Sequence, residues 1–212
     1  MNSDLIAERI EYGDRALSRS DLGDCPLKLA RQWLEEATRE GIPEANGVCL
    51  STVSRDGCPD SRVVLVKEFD SAGPIFYTNY EGRKGKQLEA EPRAGMVFWW
   101  QSLRRQVRLS GQVEKVSGEC SDAYFATRPR EAQLGAWASL QSRPMESRRE
   151  LDERLAEVAK RFPDEVPRPP HWGGYRLLPQ RVEFWQGRNS RLHDRFVFEK
   201  NGRDWSVQRL MP

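Results

Sequence analysis

Residues 48–79 read VCLSTVS RDGCPDS RVVLVKEF DSAGP IFYTN, and this stretch decides the fold. Three short runs, Val48–Ser54, Arg62–Phe69 and Ile75–Asn79, are rich in Val, Leu and aromatic residues. Arg55-Asp56-Gly57 and Asp70-Ser71-Ala72-Gly73 separate them with turn chemistry. Connections this tight join antiparallel neighbours, because a parallel pair needs a crossover of about a dozen residues or more. The stretch therefore predicts an antiparallel meander and argues against a doubly wound α/β sheet.

Outward from the meander, more strands are predicted at Ala94–Gln101, Arg105–Val116, Gly174–Gln186, Arg195–Glu199 and Trp205–Leu210. In Arg105–Val116, Val107, Leu109 and Val113 share one face, and Gly111 suggests a bend or a close backbone approach. Asn201-Gly202 is the strongest hairpin signal. Helices are expected at Pro26–Glu40, Arg83–Glu91, from a Ser117 cap to about Thr127, and over Pro144–Phe162. Strands dominate, so the fold class is mainly β with peripheral helices (α+β), a small barrel that abolishes its sheet edges. Residues 1–25 lack periodicity and read as a flexible N-terminal arm; residues 26–212 read as one domain.

Composition narrows the function. The 212 residues carry 34 basic and 32 acidic side chains, a net charge of +2, which disfavours nucleic acid as a partner. The start of the chain lacks the apolar core of a signal peptide, and no run is long enough to span a membrane, so a cytoplasmic protein is expected. Cys25, Cys49, Cys58 and Cys120 form no C-x-x-C pair and accompany only His171 and His193, so no metal site is expected and the thiols read as reduced and mostly buried. No phosphate-binding glycine loop or nucleophile elbow is present.

Cations embedded in apolar strands stand out instead. Arg62 and Lys67 bracket four aliphatic residues and point to opposite faces, either as barrel-surface charges or as holders of a flat anionic ligand. Tyr77-Thr78-Asn79 runs toward Arg83-Lys84 at a helix start, where cations oppose the helix dipole unless an anion sits there. Tyr124 and Arg128 share a helix face, as a packing pair or a phosphate clamp. Arg191, His193 and Arg195 would share one face of an extended segment, a costly positive cluster that an anionic ligand would relieve.

The segment Val182-Glu-Phe-Trp-Gln-Gly-Arg-Asn-Ser-Arg-Leu-His-Asp-Arg195 resembles the signature of the pyridoxamine 5′-phosphate oxidase family. Arg62–Lys67, Phe76–Asn79, Arg83-Lys84, Arg105–Val107, Tyr124 with Arg128-Pro129-Arg130, Gly135–Trp137, Gln141-Ser142 and Trp172–Gly174 resemble family blocks in order, over nearly the whole chain. The resemblance implies an FMN-binding split β-barrel that forms a homodimer with flavin sites across the interface. By position, FMN would meet Arg62, Val63, Val64, Leu65, Val66, Lys67, Tyr77, Thr78, Arg83, Lys84, Gln106, Gln141, Ser142, Trp185 and Arg195. The substrate phosphate would meet Lys67, Tyr124 and Arg128. Arg191, Leu192 and His193 would lie on the substrate, with Arg191 and His193 as the catalytic pair. The family's N-terminal arm folds over the site, which here points to Arg9 and Tyr12.

The implied reaction oxidises pyridoxine 5′-phosphate or pyridoxamine 5′-phosphate with O2 to pyridoxal 5′-phosphate, releasing H2O2, and ammonia from the amine. Two positions depart from the family. Ala132 stands where a serine commonly helps hold substrate phosphate, and Ile10 replaces a frequent basic residue. The alternatives are a related split-barrel oxidase acting on a phenazine-type substrate, whose members tend to lack the phosphate-binding residues, and a non-catalytic flavin-binding protein.

Overall fold

The computed structural model describes residue 13 and residues 15–212. Helix α1 (Pro26–Arg39) is followed by β1 (Gly47–Val53), β2 (Pro59–Phe69), β3 (Pro74–Asn79), α2 (Arg83–Ala90), β4 (Arg93–Trp100) and β5 (Arg105–Lys115). Three helices come next, α3 (Gly118–Ala126), α4 (Arg130–Ala138) and α5 (Arg148–Arg161), then β6 (Trp172–Gln186), β7 (Asp194–Asn201) and β8 (Asp204–Leu210).

All strand pairings are antiparallel, in the order β3-β2-β1-β4-β5-β6-β7-β8. A further β3–β6 pairing closes the first six strands into a barrel. The long β6 makes this possible. Its first part, Trp172–Arg176, pairs with β3, and its last part, Arg181–Gln186, pairs with β7. The β5–β6 register shifts at Ser110/Gly111. There a Cβ on Gly111 would lie 2.1 Å from the Leu178 carbonyl oxygen, so only glycine admits this approach.

Leu50, Phe76, Met96, Phe98, Leu109, Leu177 and Phe184 fill the barrel, each about 1.5–3 kcal/mol of burial. A second cluster, Phe125, Leu134, Ala136, Val166 and Trp172, sits under the helical segment, with Leu155 and Val158 of α5 packed on it. Ser117 caps α3 by accepting from the Cys120 N–H at 3.1 Å. No described helix is long and apolar enough to cross a membrane.

Four expectations are corrected. The helix expected from Pro144 starts at Arg148, because Pro144–Ser147 is exposed and the packed stripe lies further along. Helix α4 was not expected; Gly135 and a weak apolar period hide it. The cysteines are free, but none is fully buried: Cys25 and Cys58, outside helices and strands, are exposed, and Cys49 in β1 and Cys120 in the first turn of α3 are intermediate. An arm was expected through residue 25, yet Leu17 and Leu22 are buried in the barrel core, so packing begins before α1.

Candidate active site

Two half-buried cations organise the first part of the site. Lys84 opens α2, whose N-terminus carries no side-chain cap. Its Nζ donates to Gln141 Oε1 at 2.8 Å and to Thr78 Oγ1 at 3.2 Å, while Thr78 donates to the same Gln141 oxygen at 3.1 Å. Among the described residues no carboxylate reaches ion-pair distance of Lys84. Burial, and then the nearby Arg62 charge, lowers its pKa, with Asp60 opposing. Gly82 lets Gln141 come close, since a Cβ there would lie 2.5 Å from Oε1. Ser142, beside it, is left-handed with φ 69°.

Arg62 lies on the same side. It donates to Thr52 Oγ1 at 2.6 Å and to Gln87 Oε1 at 3.1 Å, and pairs with Asp60 at 2.8 Å. Arg83 shares Asp60 but is largely exposed. The Gln87 amide donates to Asp60, holding that carboxyl below its usual pKa together with the two arginines. Asp60, Thr52 and Gln87 were missed in the sequence, although Asp60 stands two residues before Arg62 and so shares its strand face. Lys67 is exposed on the opposite face, beside the register shift between Val66 and Glu68. Val63 is 70% exposed, and Val64 and Leu65 are intermediate.

The second cation is Arg128. It lies 4.5 Å from the Trp172 ring and donates to the Ala132 carbonyl at 3.0 Å. Its Nη1 is buried with no partner among the described residues, and burial lowers its pKa. Tyr124 and Tyr77 stack at 3.9 Å and both lie over Trp172, making a wall of three near-parallel rings. Tyr77 donates to Glu68 at 2.5 Å, and burial raises the pKa of both phenols. An unpartnered guanidinium nitrogen beside a phenol is what a phosphate or carboxylate would complete.

The C-terminal segment is built differently. Arg191 is not in extended chain: it ends a short 3-10 turn, Asn189–Arg191, with Ser190 and Arg191 at φ 56° and 60°. The expected shared face of Arg191, His193 and Arg195 is therefore corrected, because the left-handed turn breaks the alternation. Arg191 and Leu192 are exposed, and Arg191 makes no ion pair among the described residues. His193 accepts the Arg188 N–H on Nδ1 at 3.1 Å and packs on Trp185 at 4.5 Å. Burial, then the Arg191 and Arg195 charges, lowers its pKa. Arg195 grips buried Glu183 with Nε at 3.0 Å and Nη2 at 2.8 Å, so its charge is largely answered within the chain. Gln106, half-buried on β5, pairs across the ladder with Trp185. Arg9 and Tyr12 lie outside the described residues.

The chain thus brings together Arg62, Thr78, Lys84 and Gln141, and separately Tyr77, Tyr124 and Arg128. It does not join these to Trp185 and Arg195. Tyr77 faces Gly174 at one end of β6, and Trp185 stands near the other, about 35 Å along the strand.

A six-stranded antiparallel barrel closed by one shared strand, with two half-buried cations beside it, defines a protein of the split-barrel class. A structure of PhzG from Burkholderia lata 383, in complex with tetrahydrophenazine-1-carboxylic acid, superposes with TM-score 0.88 at 31% identity, covering 95% of this chain and 100% of that one. A pyridoxamine 5′-phosphate oxidase-related, FMN binding protein from Nostoc punctiforme shares the fold with TM-score 0.72 at 18% identity, covering 93% and 100%. Residues 34–162 match the family described as Pyridoxamine 5′-phosphate oxidase, and residues 172–212 match the Pyridoxine 5′-phosphate oxidase C-terminal dimerisation region. Two proteins named Pyridoxine/pyridoxamine 5′-phosphate oxidase, from Rubrobacter xylanophilus and Synechocystis, are 51% and 50% identical; the matches cover 99% and 96% of this chain and 97% and 96% of those proteins. The chain belongs to the pyridoxine/pyridoxamine 5′-phosphate oxidase family.

Proposed function

We propose that the chain is an FMN-dependent oxidase that converts pyridoxine 5′-phosphate and pyridoxamine 5′-phosphate to pyridoxal 5′-phosphate with O2, releasing H2O2 and, from the amine, ammonia. The observation that carries this reading is the presence of two separate half-buried cations, Lys84 and Arg128, with no carboxylate on either among the described residues. Such a reaction needs two phosphate sites, one for the flavin and one for the substrate. Bound FMN supplies a hydride acceptor that O2 can reoxidise.

The chain's own residues bind and orient. Lys84, Arg62, Thr78 and the open N–H groups at the start of α2 suit the flavin phosphate. Arg128 and Tyr124 suit the substrate phosphate, with Lys67 at the exposed rim. Ala132 contributes its carbonyl oxygen to Arg128 and so helps aim the guanidinium, but it offers no hydroxyl. Arg191 and His193 orient the pyridine ring, with His193 held neutral more readily by burial and its cationic neighbours.

A homodimer fits the same observations. Tyr77 and Thr78 stand too far along β6 from Trp185 and Arg195 for one small ligand to touch both sets in one chain. Two copies would let one copy's β2–β3 face meet the other's β6–β7 face. Val63 and Leu192, 70% and 67% exposed, belong to the two faces such an arrangement would cover. The match to a C-terminal dimerisation region supports it.

The test is the visible spectrum of the purified protein. Flavin bands that bleach on anaerobic addition of pyridoxine 5′-phosphate are expected, and bands that persist would refute turnover of this substrate. Light scattering should give about twice 24.5 kDa; a monomer that keeps stoichiometric FMN would refute the interface.

A further inference from the structure

The loop between β6 and β7 carries Arg191 and His193, yet two successive residues in it hold left-handed backbone without being glycine. Such conformations are strained and persist only where the surroundings over-determine them. Asp194, at the loop's end, is the group that could do so. Its side chain is buried. It takes three donors from three parts of the chain. The Leu17 backbone N–H donates at 3.1 Å, Arg188 at the loop's start donates at 3.4 Å, and Arg209 of β8 closes the set. A parallel tie lies one turn away, where the Gly13 N–H donates to Asn189 Oδ1 at 2.7 Å.

We propose that Asp194 is a positioning residue: it ties the segment at Leu17 to both ends of the 188–194 loop and thereby fixes where Arg191 and His193 meet the substrate. The inference rests on the oxidase reading for its kinetic consequence, but not for the tie itself. Leu17 is 5% exposed in the barrel core, so the carboxylate couples the loop to a fixed point rather than to a loose end. Arg188 answers one Asp194 oxygen with its guanidinium and His193 Nδ1 with its backbone N–H, so a shift of Arg188 moves the imidazole directly. The chain then has two kinds of residue in this loop: those that touch the substrate, and one that never does but sets their place.

The experiment compares the wild-type holoenzyme with Asp194→Ala, Asp194→Asn and Val113→Ala, the last a core truncation in β5 remote from the loop. Asp194→Ala should keep FMN affinity within about threefold. It should lower kcat/KM per bound flavin about 100-fold, the cost typical of roughly 1 Å of misplacement, with most of the loss in KM. Asp194→Asn keeps an oxygen for the Leu17 N–H and should recover at least tenfold of that loss. Val113→Ala should lower Tm while leaving kcat/KM per flavin within twofold. Trypsin cleavage after Arg15 and Arg19 should be accelerated in Asp194→Ala and unchanged in Val113→Ala, a readout that needs no substrate. Unchanged kcat/KM in Asp194→Ala, or flavin loss that tracks Tm in both variants, would overturn the proposal. If Asp194→Ala does not fold, Arg209→Ala carries the test: it should raise KM at least threefold with flavin retained, and an unchanged KM overturns the proposal. A wild-type protein that oxidises neither phosphate would overturn the oxidase reading alone, while the proteolysis result would still decide the tie.

Discussion

The start of α2 and the end of β6 are both rich in cations, and they are built in opposite ways. At α2 the half-buried group is a cation, Lys84, that faces hydroxyl and amide oxygens and, among the described residues, no carboxylate. At β6 the buried groups are carboxylates. Glu183 is surrounded by Arg108, Arg181 and Arg195, and Asp194 by Arg188 and Arg209. A cation short of a partner is a receptor, whereas a carboxylate saturated with guanidinium is scaffold. Arg128 falls on the first side of this division and Arg195 on the second.

Mutations can break that contrast. The largest effect is expected from Arg191→Ala/His193→Ala, since Arg191 is the cation of the β6–β7 loop with no ion pair among the described residues. Losing two charge-assisted contacts should cost ~3–5 kcal/mol of transition-state stabilisation, about 10²–10⁴ in kcat/KM per bound flavin, with the flavin spectrum intact. Should activity per flavin stay unchanged, these residues are scaffold as well. Glu183→Ala should instead act on stability. Breaking a buried pair costs roughly 3 kcal/mol here, the low end because Arg108 and Arg181 reach solvent, and calorimetry should read a Tm lower by about 6–12 °C.

Lys84→Ala should leave Tm nearly unmoved but weaken FMN by about 10–100-fold, the worth of one charge-assisted bond. Equilibrium titration of apoprotein measures this directly, and a change under twofold would put the flavin phosphate elsewhere. The smallest effect sharpens the same point. Burial lowers the Lys84 pKa in the free protein, and a bound phosphate would favour the ammonium and raise it again. FMN affinity should therefore fall as pH rises through the lowered value. Lys84→Ala should abolish that alkaline limb.

Much of the fold was legible because it rests on local patterns. Tight turns after Ser54 and Phe69 fixed the antiparallel sense, and period-2 alternation picked out Val107, Leu109 and Val113. Closure of the barrel was not legible as a pairing, because nothing in Ile75 or Arg176 announces the other. The candidate site divides in the same way. Lys84 at a helix start can be read from dipole reasoning alone. That Arg195 is already answered by Glu183 cannot, because the two meet through a ladder offset and not through sequence spacing. The positive charge around His193 is reduced in the fold, because Arg188 pairs with Asp194 and Arg195 with Glu183.

The shared strand β6 also dictates an order of assembly. Ile75 must wait for Arg176, about a hundred residues later, before the barrel can shut, and such non-local contacts repay their loop-closure entropy late. During synthesis, β1 to β5 can form an open sheet, with the free edges of β3 and β5 available to other chains until residues 172–186 emerge. The vulnerable interval is therefore the time a ribosome spends on the three helices between β5 and β6, and slowing translation there should raise aggregation of the nascent chain.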